Sequence, residues 1–220
     1  MVLQLFAGHS FYGGGAVVAV VLAMKKIPYQ FVLVDMAKKQ HKSPEHKARH
    51  PFGQLPALDD DGFVIYETRA ICKYLENKYP GQGVRLAPPL SDIKGQAMYD
   101  QMLSVELCDF YRPMLRVAQE VIFKPMFGAE TNQANLTDGV NDLGMKLDVY
   151  EGILAKQKYI AGNELSLVDL YHLIYAPGLA PAGVDIMTRA ERPHVARWWN
   201  ELISTPTYVK LKAEGYPIEA

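Results

Sequence analysis

The chain has 220 residues, 49% of them hydrophobic and 21% charged, with a formal net charge of −1. That is a globular composition, long enough for one large domain or two smaller ones, and a charge so near zero gives no electrostatic basis for binding nucleic acid or an anionic membrane. The two cysteines, Cys72 and Cys108, form no C-x-x-C or metal-ligand spacing, which suits a reducing compartment.

In chain order, Val2 to Phe6 reads as a strand, and three glycines, Gly13 to Gly15, lead into an apolar helix from Ala16 to Lys26. The apolar part of that helix is far too short to span a bilayer, and its lysines follow it instead of preceding it as in a secretory leader. A cytosolic protein is therefore expected. Lys25 and Lys26 stand at the C-terminus of the helix, where positive charge suits the helix dipole. "YQFVLVD" (29–35) is a second strand, so the strand–helix–strand unit is expected to be parallel. "SPEHKARH" (43–50) predicts a short helix capped by Ser43 with Pro44 in its first turn. "LPALDDDGFVIY" (55–66) predicts an antiparallel hairpin around Asp-Gly, and "ETRAICKYLENKY" (67–79) an amphipathic helix. The order β-α-β then β-β-α is that of a thioredoxin-like α/β domain, here residues 1–80.

"PGQGVRLAPPL", from Pro80 on, supplies a linker over 81–90, and no convincing strand follows it. A long helix over 91–123 is expected to be capped by Ser91 and bent at Pro113. Further helices are expected over 134–157, 166–176, 192–205 and 206–215. Ser166-x-x-Asp169 reads as a capping box that makes Asp169 structural. Residues 91–220 are therefore expected to form an all-α domain, with His172, Trp198 and Trp199 in its core.

Four stretches carry a resemblance: "QHKSPEH" (40–46), "HPFGQLPAL" (50–58), "YETRAICKYL" (66–75) and "ERPHVARWW" (191–199). In order, spacing and placement around the linker they resemble the soluble glutathione transferases, most closely the phi class of plants and fungi. The resemblance implies that glutathione is the co-substrate, with no metal, and that the protein is a homodimer, with Phe52 and Arg69 as contact residues. Leu55 precedes Pro56, and a cis bond there would turn its N–H and C=O outward to pair with a peptide-like ligand as an added strand would. The resemblance assigns those groups to the cysteinyl part of glutathione. Thr68 opens a helix whose free N–H groups suit the γ-glutamyl carboxylate, while Glu67 would pair with the ammonium. His41, Lys42 and Gln54 resemble the family's holders of the glycine carboxylate.

The sulfur end departs from the family. The phi class has a Ser-Thr pair after the first strand, whose serine donates a hydrogen bond to sulfur. Counting back from "KKIPY" puts Tyr12 and Gly13 there, whereas a shifted loop brings in Ser10, so both Tyr12 and Ser10 stand as candidates. The glycines are expected to let a thiolate approach bare backbone. With no cysteine in residues 8–16, a mixed-disulfide mechanism is disfavoured, and Cys72 reads as core. The acceptor pocket implied by the resemblance would draw on Phe11, Met36, Tyr111, Met114 and Phe123. Conjugation of the thiolate to small hydrophobic electrophiles, with peroxidase activity as a variant, is the first reading. The alternative is a non-catalytic, ligandin-like protein that binds glutathione or hydrophobic ligands on the same fold.

Overall fold

The computed structural model describes residues 2–216. Two compact units emerge: one runs through Arg85 and takes back the segment from Pro206 on, and the other is Leu86–Thr205.

The first unit contains β1 (Leu3–Ala7), α1 (Gly14–Met24), β2 (Tyr29–Leu33), α2 (Pro44–Arg49), β3 (Ala57–Asp60), β4 (Phe63–Tyr66) and α3 (Thr68–Lys78). Its sheet order is β2-β1-β3-β4. β1 runs parallel to β2, with Leu5 opposite Phe31, and antiparallel to β3, with Leu5 opposite Leu58. This is the thioredoxin-like arrangement that the sequence predicts. Ala16 through Leu22 are all buried, which explains why α1 has no polar face.

Lys25 departs from its expected role at the helix end. Its side chain is fully buried and its Nζ lies 2.6 Å from Glu76 of α3, a pairing across 51 residues. The same Nζ donates to the Val84 carbonyl at 3.4 Å, so the start of the linker closes over the end of α1.

The second unit holds α4 (Ile93–Val105), α5 (Arg112–Ala118), α6 (Lys124–Met126), α7 (Gln133–Leu154), α8 (Leu167–Tyr171) and α9 (Pro193–Ile203). α4, α5 and α6 are stretches of one path, joined by wider π turns at Glu106–Tyr111 and Gln119–Phe123. Pro113 accounts for the first: lacking an N–H, it cannot continue the α ladder, and the preceding turn widens. The cap of α4 is Asp92, not Ser91; its carboxylate accepts the Gly95 N–H at 2.9 Å. α8 is shorter than the expected 166–176, because the chain leaves it in tight turns and Tyr175 takes a left-handed backbone (φ 63°).

α10 (Pro206–Glu214) packs on α1 in the first unit, whereas the expected boundaries put it in the helical domain. Its buried residues are Tyr208 and Leu211. Among the described residues, no helix is long and apolar enough to cross a membrane.

Candidate active site

The glycine turn links β1 to α1. A Cβ on Gly14 would lie 2.0 Å from Thr68 Oγ1 and 3.2 Å from Pro56 Cδ, and one on Gly15 would lie 2.5 Å from the Ala7 Cβ. Around Gly13 the same construction meets nothing within 4 Å. Gly14 and Gly15 are thus required by packing, since they let the first turn of α1 press against the first residue of α3 and against β1. Gly13 differs from both in having open space beside it.

The first residues of α1 and α3 therefore meet beside Pro56. Leu55–Pro56 is cis. Leu55 is half-buried, and among the described residues its N–H and C=O have no partner. Thr68 is 7% exposed at the first position of α3, where backbone N–H groups lack helical partners. Glu67, exposed just before it, has φ 74°, a strained backbone for a non-glycine residue. Its carboxylate has no hydrogen bond or ion pair among the described residues.

The loop that carries the other expected contacts is braced internally. Lys42 Nζ donates to the carbonyls of Phe52 and Gly53 at 3.1 and 2.8 Å. Gly53 (φ 59°) brings its backbone so close to His41 that a Cβ would lie 2.7 Å from the His41 carbonyl. Burial of His41, followed by the charges of Lys42 and His46, holds its pKa below the ordinary imidazole value, so the ring is neutral at pH 7. Gln54 is exposed, and its carbonyl accepts a 2.8 Å hydrogen bond from Nε2 of the buried His46. Sequence reasoning missed His46; the one available signal was its place on α2, one turn before His50. Burial lowers the His50 pKa too, against the opposing charge of Glu67.

At the sulfur end, Ser10 is exposed and its Oγ accepts the Tyr12 N–H at 3.2 Å. Tyr12 is half-buried, and its phenol has no hydrogen-bond partner among the described residues. Cys72 is fully buried, and that burial pushes its thiol pKa far up, which makes it inert as a nucleophile.

The expected acceptor residues fall in both units. In the first, Met36 is 51% exposed, and its sulfur would lie 3.7 Å from a Cβ on Gly8, while Phe11 packs on Tyr208. In the second, half-buried Phe123 meets Tyr175 edge-on at 5.0 Å. Burial, with Tyr111 beside it, pushes the Tyr175 phenol up to about 12. Tyr175 was not foreseen as a neighbour of Tyr111 and Phe123. Met114 is fully enclosed at 0% exposure and offers no surface to a ligand.

Residues 3–77 match the family described as "Glutathione S-transferase, N-terminal domain", and residues 112–206 match "Glutathione S-transferase, C-terminal domain". The chain belongs to the glutathione S-transferase family. Glutathione S-transferase hmp2 of Hypomyces subiculosus is 37% identical over 216 residues, which is 98% of this chain and 100% of that one. The crystal structure of glutathione transferase F7 from Populus trichocarpa superposes with a TM-score of 0.89 at 34% identity, covering 99% of this chain and 100% of that one. Glutathione S-transferase I from mais, in complex with an atrazine glutathione conjugate, gives 0.84 at 32% identity over 99% of each chain. The fold, the phi-class likeness and the transferase activity all follow, with glutathione as co-substrate. Among the described residues, no group of three or more His, Cys, Asp or Glu is gathered to hold a metal ion.

Proposed function

We propose that the first unit binds glutathione along the line Leu55, Glu67 and Thr68 and ionises its thiol at the glycine turn. The observation that carries this is the contact of Gly14 with Thr68 and Pro56. It supports the reading because it brings Thr68, Pro56 and the glycine turn together. Leu55 pairs its N–H and C=O with the cysteinyl peptide. Thr68 donates to the γ-glutamyl carboxylate, and Glu67 accepts from the ammonium. The glycine carboxylate lies toward Gln54, His41 and the third proton of Lys42.

Sulfur activation needs a donor. A free thiol titrates near pH ~8.5, and a hydrogen bond to a charged acceptor is worth ~1.5–3 kcal/mol, roughly one to two pKa units. Tyr12 is the preferred donor, because its phenol is the more acidic of the two; Ser10 Oγ accepts the Tyr12 N–H and keeps its own proton to donate. The Gly13 end of α1 adds unpaired N–H groups of positive character. The thiolate then attacks a small hydrophobic electrophile. Peroxidase chemistry on organic hydroperoxides would use the same thiolate. The proposal includes a cytosolic homodimer acting in detoxification, with Phe52, 67% exposed, and Arg69 at the contact between copies.

The test is a pH titration of thiolate absorbance for glutathione with stoichiometric protein. The bound thiol is expected to titrate one to two units below the free one, with Tyr12→Phe abolishing most of that difference and Ser10→Ala little of it. The reverse pattern would make Ser10 the donor. Bound glutathione with an unshifted thiol would remove the activation mechanism, and absence of binding would overturn the roles of Leu55, Glu67 and Thr68.

A further inference from the structure

Ser10 and Tyr12 lie in residues 8–13, which contain neither helix nor strand. The Ser10–Tyr12 hydrogen bond is internal to this loop and cannot fix it against the rest of the unit. An anchor comes from the far end of the described chain, where the Tyr216 hydroxyl donates to the Ser10 carbonyl at 3.0 Å.

The tyrosine is itself firmly seated. Its ring stacks on Phe31 of β2 with centroids 4.2 Å apart and planes 6° from parallel, and only 7% of the residue is exposed. Gly215, at φ 78°, ends α10 with its N–H bonded to the Leu211 carbonyl at 2.9 Å. This left-handed residue reverses the chain and lays Tyr216 back over the sheet. Between Ser10 and Tyr12, the Phe11 ring is held 5.3 Å from Tyr208 and 6.2 Å from Tyr216. The Tyr208 hydroxyl is buried without a hydrogen-bond partner and within electrostatic reach of Tyr12.

We propose that Tyr216 is a positioning residue for thiol activation: it fixes the Ser10 carbonyl, and so the direction in which Ser10 and Tyr12 present their hydroxyls to sulfur. The inference rests on the transferase reading of this loop. A peptide plane held at its carbonyl cannot rotate freely, and rotation at Ser10–Phe11 would carry Tyr12 with it. Misplacement of a catalytic group by about 1 Å can reduce rate by ~10²-fold.

The test compares wild type with Tyr216→Phe, which keeps the stack on Phe31 and deletes only the donor, and with Tyr216→Ala, which deletes both. For Tyr216→Phe, kcat is expected to fall about 5–10-fold. The acid limb of the kcat/KM pH profile should move toward the free thiol, with KM for the electrophile unchanged. Tyr216→Ala should go further in the same direction. A tether that only adds stability would lower the melting temperature and leave the acid limb in place, and that result would overturn the proposal. Hydrogen–deuterium exchange of residues 8–13 in the ligand-free protein supplies a second readout that needs no glutathione. Faster exchange in Tyr216→Phe supports the anchor, and unchanged exchange overturns it. If wild type fails to bind glutathione, the transferase reading of the site falls, and the exchange data still decide whether Tyr216 holds the loop.

Discussion

Buried Asp169 of the helical unit accepts from the Ile160 N–H, the Ser166 N–H and hydroxyl, and the Trp198 indole, all within 3.0 Å. Both ring nitrogens of its neighbour His172 are engaged as well, by the Val168 carbonyl and the Tyr150 hydroxyl. In the thioredoxin-like unit, the Glu67 carboxylate, the Leu55 peptide groups and the Tyr12 phenol have no hydrogen-bond partners among the described residues. His41, His46 and His50 each keep a buried Nδ1 without a hydrogen bond. An unsatisfied buried polar group costs about 1–3 kcal/mol unless something supplies its partner. Saturated networks therefore mark scaffolding here, while unsaturated groups gathered at one place mark a surface that awaits a ligand. By this measure Asp169 and His172 belong to folding, and the free groups of Leu55, Glu67 and Tyr12 are in keeping with the binding and chemistry proposed for them.

The sharpest way to break this division is Asp169→Asn. The amide turns one accepting oxygen into a donor that faces other donors, so stability should fall by about 3 kcal/mol, read as a lower urea midpoint. Activity per folded molecule should stay near wild type. Full stability with a lost kcat would reverse the assignment. Within the other unit, Gly14→Ala and Gly13→Ala separate packing from chemistry. The first forces a methyl onto Thr68 and Pro56. It should raise KM for glutathione about tenfold, or ~1.4 kcal/mol, and lower stability by about 1–3 kcal/mol. The second meets open space, so stability should change by less than about 0.5 kcal/mol. If Gly13→Ala nevertheless abolishes activity while glutathione still binds, the sulfur lies against that bare Cα.

Much of the first unit was legible because its signals are local. Apolar runs of strand and helix length, the Asp61-Gly62 turn, and Pro44 after a capping Ser43 each declare themselves within a few residues. The family motifs then assigned Leu55, Glu67 and Thr68 to one ligand, and Gly14 brings Thr68 and Pro56 together. What remained hidden depends on distant partners. Lys25 reads as a helix-end charge until Glu76 is found beside it. α10 has an ordinary helical pattern, and nothing in it says that it packs on α1. The hydrogen bond from His46 to the Gln54 carbonyl joins a side chain to a backbone atom, which leaves no pattern in residue types. The glycine run looked like one feature, yet three different neighbourhoods surround its members.

Glu151 tests the comparison at its weakest point, since its carboxylate is only partly buried. It accepts from the N–H groups of His194 and Val195 at the start of α9 and from the His194 ring. Burial alone would raise its pKa, but the Val195 and His194 contacts outweigh that, and the carboxyl titrates below its ordinary value. A depressed pKa in the folded state means that the folded form favours the ionised group. The stabilisation is therefore fully present above the unfolded carboxyl value of ~4.3 and is lost as pH falls through the lower folded value. Glu151→Gln should cost about 1–2 kcal/mol at pH 7, the scale of a helix cap with a charge at its N-terminus. The two proteins should converge as the solution is acidified past the folded pKa. Urea titrations at pH 7 and in the acid range check this, with unaltered KM for glutathione as the control. A constant difference at every pH would show that Glu151 acts through its shape, and a change in KM would move it out of the scaffold.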